Sequence, residues 1–354
     1  MKKRSYSLLF IVLFLGLCLV PSIGMLLFGA SPLLANEAAP RTPALQNADG
    51  SLNPEILADL TDYIGTRFAL RPVLVTMRSF IYEKLLRSSA EEQVVLGRGG
   101  ELYYRSTVDD YCGQGLSDDR LRQIAANLKE IQTFTESRGG RFLFTVAPNK
   151  NSLLPAKMPS GYRYAHETSN YARLLPLLEE YGVNYVDLLE VLGSHPEWYY
   201  RTDSHWTAEG AAHAADALLQ ALGRERSFSA GPFTENGLHI GDLYQMLYPL
   251  GKGREAKVTY GPGFRHVTAA DPREGNAITI RTRSPEGEGS LYCRRDSFGI
   301  ALYPYLADAF DEAEFSRSSD YRPESFAALE SDVVILEIVE RNLPALLTDS
   351  YSGL

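Results

Sequence analysis

Predicted strands of a fully buried type alternate with amphipathic helices from the middle of the chain onward. Residues 142–146 read Phe-Leu-Phe-Thr-Val, an apolar run typical of a strand covered on both faces. Helices are predicted on either side of it, over 117–138, where Ser117 can cap the first turn, and over about 168–181. Because parallel strands need a crossover between them, this alternation predicts an α/β fold, a mostly parallel sheet with helices on both faces.

The other predicted elements continue the alternation except in one region. They are, in order, helices over 54–88 with a break at Arg71-Pro72, a hairpin over 94–104, a strand at 183–188, a helix at about 207–221, a strand at 291–293, a helix from Phe298 and a last strand at 333–338. Residues 228–288 interrupt the pattern with Gly, Pro and charged residues, and carry β-like stretches at 257–260 and 277–282. We predict an inserted loop or small hairpin region there, within the same domain.

The N-terminus predicts a membrane segment. Lys2-Lys3-Arg4 precedes an uncharged apolar run over 8–28, which as a helix would span roughly 30 Å, the thickness of a bilayer core. The basic cluster should stay cytoplasmic, so a single-pass anchor in the cell membrane would leave the main domain extracytoplasmic. The alternative is a cleaved signal peptide whose apolar core ends at Pro21, although the apolar run continues past that proline.

These features divide the chain into three parts. Residues 1–30 form the anchor or signal segment, residues 31–52 form a linker rich in Ala, Pro and Asn, and residues 53–354 form one α/β domain that contains the insertion at about 228–288.

Charge and cysteine content exclude several classes of ligand. Lys and Arg number 35 against 44 Asp and Glu, and the only basic run is at the N-terminus, so nucleic acid is not expected as a ligand. Cys112 and Cys293 could form a disulfide in an oxidising compartment, or they could be two separate small buried side chains. The chain shows no metal-ligand spacing of His, Cys, Asp or Glu, so neither a metal nor a cofactor is expected.

Polar clusters follow three of the predicted strands, where open α/β sheets bind their ligands. They are Pro148-Asn149-Lys150, Arg294-Arg295-Asp296-Ser297-Phe298 and Glu340-Arg341-Asn342, and a fourth, Thr202-Asp203-Ser204-His205-Trp206, precedes the helix at 207–221. In the fourth, Asp203 could hold the imidazole of His205 and fix its tautomer, with Trp206 keeping water from the ring. The alternative is an Asp at a helix start and a His at the surface.

Ser297 lies between a predicted strand and a predicted helix. In that position its hydroxyl would be exposed beside backbone N–H groups that could stabilise an oxyanion, although a simple helix cap is the alternative. Together with Asp203 and His205, it would supply the nucleophile, base and orienter of covalent acyl transfer. This prediction requires the two loops to meet in the fold.

The remaining polar and aromatic residues of these clusters have two interpretations each. Asn149 and Lys150 could donate to an oxyanion, or they could form a turn. Asp296 could cap a helix rather than react. Arg341 could bind an acidic sugar or a carbonyl, or form a salt bridge with a neighbouring glutamate. The aromatic residues at 198–200 could stack on sugar rings or fill the core.

Several short motifs occur in an order shared with a known family. They are Arg67-Phe68-Ala69-Leu70-Arg71, Val95-Leu96-Gly97-Arg98-Gly99-Gly100-Glu101-Leu102-Tyr103-Tyr104, Tyr111-Cys112-Gly113, Pro148-Asn149-Lys150, Thr202-Asp203-Ser204-His205-Trp206, Gly241-Asp242-Leu243, Arg295-Asp296-Ser297-Phe298 and Val339-Glu340-Arg341. In these motifs the chain resembles the AlgX/AlgJ-like SGNH-hydrolase family of exopolysaccharide O-acetylation proteins, and in particular its DHHW-type membrane-anchored members.

The resemblance implies an SGNH-hydrolase-like fold with Ser297 as nucleophile, His205 as base and Asp203 as orienter. It also implies transfer of O-acetyl groups to a cell-surface or secreted polysaccharide, with the acyl donor supplied by a multi-pass membrane acyltransferase. The chain departs from the family pattern at Arg295, where AlgJ-like members usually have Gly, and at Ser204, where the DHHW motif has His. A carbohydrate acetylesterase and a non-catalytic polysaccharide-binding scaffold are the alternatives, and the sugar and the acyl donor stay open.

Overall fold

The computed structural model describes residues 2–34, 37–193, 195–253, 255–268 and 279–347. The helices are α1 (Lys2–Phe28), α2 (Ile56–Arg67), α3 (Arg71–Ile81), α4 (Val108–Tyr111), α5 (Asp118–Ser137), α6 (Lys150–Leu153), α7 (Asn170–Tyr181), α8 (Leu188–Leu192), α9 (Ala208–Ala221), α10 (Asp242–Leu247) and α11 (Gly299–Ala309). The strands are β1 (Val94–Leu96), β2 (Leu102–Tyr104), β3 (Arg141–Ala147), β4 (Tyr185–Val186), β5 (Phe233–His239), β6 (Glu255–Tyr260), β7 (Val267–Thr268), β8 (Thr279–Arg283), β9 (Ser290–Arg294), β10 (Glu312–Ser316) and β11 (Val333–Val339).

Seven of the described strands form one sheet in the order β4-β3-β11-β9-β10-β8-β7. The strands from β4 to β10 in this order are parallel, whereas β8 and β7 add an antiparallel edge. The predicted α/β fold with a mostly parallel sheet is therefore confirmed. The sequence analysis missed β10, which joins β9 to β8.

The region predicted as an insertion contributes to two different sheets. β7 and β8 extend the main sheet, while β5 and β6 pair with each other as a separate antiparallel ribbon. The β-like stretch predicted at 277–282 corresponds to β8 from Thr279 onward, and residues 277–278 lie outside the described residues.

The two faces of the central strands pack against different helices. Phe142, Phe144 and Val146 of β3 lie in one apolar cluster with α5 and α7, whereas Leu143 and Ala147 lie in another with α9 and α11. This division follows from the two-residue period of a strand, which turns successive side chains to opposite faces. Both faces of β3 are covered, as its unbroken apolar sequence predicts.

The carboxyl ends of β3, β9 and β11 meet at one edge of the sheet because these strands are parallel. The backbone N–H of Asn149, after β3, donates to the carboxylate of Glu340, after β11, at 2.8 Å. The backbone N–H of Val339 donates to the carboxylate of Asp296, after β9, at 2.6 Å. The three polar clusters predicted at strand ends are therefore neighbours.

Two smaller predictions have different outcomes. The strand predicted at 183–188 is shorter than expected, since Asp187 caps α8 by accepting a hydrogen bond from the backbone N–H of Leu189 at 2.9 Å. Cys112 and Cys293 are free thiols, as the interpretation as separate side chains predicts, but only Cys293 is buried and Cys112 is half-buried.

The described residues group into two compact units. The first unit comprises residues 1–94 with 240–252, and the second comprises residues 95–239 with 253–354. The predicted boundaries at residues 30 and 52 both fall inside the first unit and stay predictions. In the first unit, the apolar segment Tyr6–Phe28 is long enough to cross a membrane, a criterion that a signal sequence also meets. α1 continues through Pro21, so this proline does not end the helix.

Candidate functional site

A line of hydrogen bonds joins Asp203, His205 and Ser297. The Nδ1 atom of His205 lies 2.7 Å from Oδ1 of Asp203, and its Nε2 atom lies 2.8 Å from Oγ of Ser297. Because a carboxylate only accepts hydrogen bonds, Nδ1 carries the imidazole proton and the lone pair of Nε2 faces the serine hydroxyl. The three side chains predicted to take part in one reaction are thus in contact, although His205 and Ser297 are 92 positions apart.

The loop that carries Asp203 and His205 is a tight turn whose two ends pair with each other. Tyr199 and Trp206 form an isolated β-bridge, and Oδ1 of Asp203 also accepts the backbone N–H of His205 at 2.9 Å. This local bond turns the carboxylate and the imidazole toward each other, as the two-residue spacing allows. Directly afterwards, Thr207 caps α9 by accepting the backbone N–H of Gly210 at 3.3 Å.

The indole of Trp206 connects this loop to the loop of the serine. Trp206 is fully buried, and its Nε1–H donates to the backbone carbonyl of Phe298 at 3.1 Å. Its ring meets that of Phe298 edge to face, with centroids 5.1 Å apart. Trp206 therefore fixes the position of the residue that follows Ser297, and its ring lies in the apolar core.

Ser297 lies just before α11, in a turn built by its neighbours. Asp296 accepts the backbone N–H of Phe298 at 2.9 Å, so its carboxylate is engaged in the turn and that N–H is not available to an oxyanion. At the next position, a Cβ added to Gly299 would lie 2.5 Å from Cδ of the buried Arg295. Only glycine therefore allows the helix to start this close to the arginine.

A second imidazole, which the sequence analysis missed, contacts the same carboxylate. The Nε2 atom of His239 lies 2.8 Å from Oδ2 of Asp203, and the His239 ring stacks on Tyr200 with centroids 3.7 Å apart. Asp203 therefore uses one oxygen for each histidine. The only sequence signal for His239 is the rarity of histidine, with six in the whole chain.

The β5–β6 ribbon holds the Asp203 loop from two places. His239 at the end of β5 pairs in register with Glu255 at the start of β6. The carboxylate of Glu255 accepts the backbone N–H groups of Arg201 and Thr202, each at 2.8 Å, and the hydroxyl of Thr202. One residue pair of the ribbon thus fixes both the backbone and the carboxylate of the loop.

A cavity of about 640 Å³ lies beside Ser297 and His205 within the second unit. Its lining is largely aromatic and aliphatic, and Lys257 is among its charged contributors. The aromatic and aliphatic lining includes Tyr200, Tyr260, Phe264, Phe298, Ile300, Ala301, Pro304 and Tyr305. The volume lies in the range of small-ligand sites. Of the aromatic residues at 198–200, Trp198 and Tyr199 are buried in the core, and only Tyr200 lines the cavity.

Lys150, predicted as an oxyanion candidate, instead builds the loop. Its buried ammonium donates to the backbone carbonyls of Tyr200, Arg201 and Asp203 at 3.1, 2.9 and 2.8 Å, and lies 3.5 Å from the carboxylate of Glu101. These contacts engage its charge in holding the backbone of the loop.

Asn149 and Arg341 line a small cleft with Ser204, apart from the large cavity. The side-chain oxygen of Asn149 is buried without a hydrogen-bond partner among the described residues. The guanidinium of Arg341 lies over the rings of Tyr104 and Phe298, at 5.4 and 5.5 Å from their centroids, and forms no salt bridge with a described residue. The salt-bridge alternative for Arg341 is therefore wrong, whereas a ligand role for either residue stays a prediction.

Burial raises the pKa of Glu340 to about 7, even though its carboxylate accepts the backbone N–H of Asn149 and the hydroxyl of Ser152. Between pH 4.5 and 7 the folded chain therefore holds a proton that the unfolded chain has lost. Stability should fall as the pH rises through this window, by about 3 kcal/mol in the free energy of unfolding.

The change Glu340→Gln should remove this dependence, because the amide does not titrate. Urea denaturation at pH 5 and at pH 7 would measure the difference in the free energy of unfolding, with the exposed Glu324→Gln as the matched control. A Glu340→Gln variant that loses as much stability as the parent chain between these pH values would contradict the assignment.

Comparisons with known proteins agree with the resemblance read from the motifs. Residues 94–250 match the family model described as the SGNH hydrolase-like domain of acetyltransferase AlgX. This range contains Asp203, His205 and His239 and ends before Ser297. The alginate biosynthesis protein AlgX of Azotobacter vinelandii is 26% identical over 149 residues, or 40% of this chain. The match spans only 30% of the length of that relative.

Solved structures share the fold at low sequence identity. PatB1 of Bacillus cereus has a TM-score of 0.55 and 18% identity, over 71% of this chain and 96% of that chain. The O-acetyltransferase domain of Pseudomonas putida AlgJ has a TM-score of 0.50 and 19% identity, over 74% of this chain and 95% of that chain. The predicted resemblance to AlgX/AlgJ-like proteins and the SGNH-hydrolase-like fold are both confirmed.

Proposed function

We propose that this chain is an extracytoplasmic O-acetyltransferase that acts on a cell-surface or secreted polysaccharide through an acyl-serine intermediate. The observation that carries the proposal is the hydrogen-bonded line from Asp203 through His205 to Ser297, which ends at the large cavity. The matched family model, described for an acetyltransferase, supports the same class of chemistry.

In the first half-reaction, Oγ of Ser297 attacks the carbonyl carbon of the acyl donor as its proton passes to Nε2 of His205. The carboxylate of Asp203 stabilises the imidazolium through Nδ1–H. The tetrahedral intermediate then breaks its bond to the leaving group of the donor, which takes the proton from Nε2. The products are an acyl-serine and the protonated leaving group.

In the second half-reaction, a sugar hydroxyl replaces the leaving group. It gives its proton to Nε2 of His205 as its oxygen attacks the acyl-serine, and collapse returns the proton to Oγ of Ser297. Water in place of the sugar would make the same site an esterase. The largely apolar lining of the cavity supports transfer, because it offers ring faces to a sugar and limits the water near the acyl-serine.

The proposal places the chain at the cell membrane through α1, with a multi-pass membrane acyltransferase as the source of the acyl group. The uncharged segment Tyr6–Phe28 supports the anchor. The proposed site needs activated acyl groups outside the cytoplasm, where no pool of soluble donor is expected. A membrane-bound donor would meet this need.

The test is acyl transfer by the purified full-length chain. Incubation with p-nitrophenyl acetate and a neutral oligosaccharide, followed by mass spectrometry, should find acetyl on the peptide that contains Ser297 and on the sugar. Acetate without acetylated sugar would favour the esterase. A folded chain that neither turns over the ester nor reacts at Ser297 with a phosphonate probe would favour the scaffold and overturn the proposal.

His239 should act as a positioning residue for this reaction. His239→Ala removes the hydrogen bond from Nε2–H to Oδ2 of Asp203, and a displaced carboxylate should lower kcat by about 10- to 100-fold with little change in KM. His239→Gln should retain most of the activity, since its amide N–H can reach the same oxygen. Steady-state kinetics over a range of pH would measure both effects.

The matched control for these variants is His213→Gln. His213 also stacks on an aromatic ring, that of Trp198 at 3.8 Å, but it makes no hydrogen bond to Asp203 among the described contacts. We expect parent kinetics from the control. Parent values of kcat and an unchanged pH profile in His239→Ala would show that His239 only packs against Tyr200.

A further inference from the structure

α3 has its apolar side chains on the exposed side. Val73, Leu74, Met77, Phe80 and Ile81 are between 39 and 56% exposed. Their spacing of one, three and four positions places them on a single face of the helix. This face continues into Leu70 before the helix and Leu85 after it, which are 50 and 75% exposed.

Polar side chains of α3 lie on its covered side. Ser79 is 3% exposed, and the hydroxyl of Thr76 is buried without a hydrogen-bond partner among the described residues. Glu83, in the turn after α3, accepts a hydrogen bond from the hydroxyl of Tyr248 in the same unit. A helix at a water-exposed surface has the reverse arrangement, with apolar residues inside and polar residues outside.

α2 repeats this reversed pattern. Leu57, Leu60 and Ile64 are 76, 42 and 39% exposed on one face. The buried residue of the helix is Asp59, whose carboxylate accepts a hydrogen bond from the side chain of Asn53 at 2.7 Å. Two consecutive helices thus each expose an apolar face, and large exposed apolar patches typically mark interaction sites.

We propose that α2 and α3 lie in the surface of a lipid bilayer, with this reversed face in contact with acyl chains. The reversed face comprises Leu57, Leu60, Ile64, Leu70, Val73, Leu74, Met77, Phe80, Ile81 and Leu85. The occupant is the membrane in which α1 is anchored, so the inference rests on the anchor of the proposed function, and it does not depend on the acyl chemistry at Ser297.

Contacts at the end of α1 support a lipid occupant. The backbone N–H of Ser31, just after α1, donates to the carbonyl of Arg67 at the end of α2 at 2.8 Å. A Cβ added to Gly24 in the last turns of α1 would lie 2.6 Å from Cβ of Ala69, between α2 and α3. When α1 spans a bilayer, these contacts hold the junction of α2 and α3 at the membrane surface, where helices with one apolar face bind.

A second contact connects α3 to the segment that follows α1. The guanidinium of Arg71, at the start of α3, forms two hydrogen bonds with the carboxylate of Glu37, at 2.5 and 2.8 Å. This paired geometry is typical of a specific Arg–carboxylate contact. It limits how far α3 can move from the end of the membrane-spanning segment.

The test is photolabelling of the full-length chain in liposomes of phosphatidylcholine and phosphatidylglycerol that contain a lipid with a diazirine on its acyl chain. We expect adducts on peptides from α1 and on peptides that cover residues 57–85. The double variant Met77→Glu/Phe80→Glu should lose at least about 10-fold of the α3 adducts while α1 stays labelled, because two carboxylates do not enter the acyl region.

The control is Val267→Glu, at an apolar side chain 66% exposed in the second unit, which should leave all adducts unchanged. Ester turnover at Ser297 should be the same in every variant, so failure of the lipid contact is distinguishable from failure of the catalytic proposal. Adducts on α1 alone, or crosslinks from α3 to protein instead of lipid, would overturn the inference. Adducts on neither segment would overturn it together with the anchor.

Discussion

Ser297→Ala should lower acetyl-ester turnover by at least about 10⁴-fold and abolish the acyl-enzyme. The alanine removes the hydroxyl that lies 2.8 Å from Nε2 of His205. Water held by His205 would be the remaining nucleophile, without the advantage of a fixed position. Pre-steady-state release of p-nitrophenol would show the loss directly, because the initial burst reports formation of the acyl-serine.

The serine variant has a matched control in Ser325→Ala. The hydroxyl of Ser325 donates to the backbone carbonyls of Asp320 and Arg322, at 3.1 and 2.8 Å, in a turn that carries none of the proposed catalytic residues. We expect parent turnover from the control and equal thermal stability of both variants. A Ser297→Ala chain that still forms an acetyl adduct would exclude Ser297 as the nucleophile.

Asp203→Asn should lower kcat by about 10⁴-fold at neutral pH. The amide has the size of the carboxylate but no charge to stabilise the imidazolium of His205. In the parent chain, His205 and His239 each contact a different oxygen of the Asp203 carboxylate. The asparagine side chain has only one oxygen, so it cannot accept a hydrogen bond from both imidazoles in this way. The rate of phosphonate labelling at Ser297 would measure the loss of nucleophile activation independently of the acyl donor.

A second Asp–His pair in the chain provides the control for this variant. Nδ1 of His266 lies 3.0 Å from Oδ1 of Asp308, and both side chains are buried. Asp308→Asn therefore makes the same chemical change at a similar pair that contacts no proposed nucleophile. We expect turnover within a few-fold of the parent. Equal losses in the two variants would mean that Asp203 acts through stability of the fold.

The central sheet was predictable because its strands and helices are patterned locally. The residues of β3 and β11 are continuous apolar runs, and α5 has both its apolar stripe and its Ser117 cap in sequence. The strand β10 was missed because it is only five residues long and closely follows a helix. In its sequence, Glu-Ala-Glu-Phe-Ser, two charged residues alternate with apolar ones, so it contains no continuous apolar run. Its place in the sheet depends on pairing with β9 and β8, which no local pattern records.

The site was predictable to the extent that its residues lie in short motifs. Asp203 and His205 are two positions apart, and Ser297 is at a strand–helix junction. His239 comes from β5, whose residues are mostly exposed and show no alternation, so nothing near it in sequence indicates a partner. The role of Lys150 depends on three carbonyl groups that are 50 to 53 positions away, which is beyond the reach of a turn motif.

The hydrogen bond from the indole of Trp206 to the carbonyl of Phe298 has a consequence for thermal motion. Each of these two residues is the immediate chain neighbour of one proposed catalytic residue, His205 or Ser297. This bond should couple the fluctuations of the two loops, so we expect the side chains of His205 and Ser297 to move together. In the proposed mechanism, the gap that the proton crosses would then stay short while the surrounding surface fluctuates.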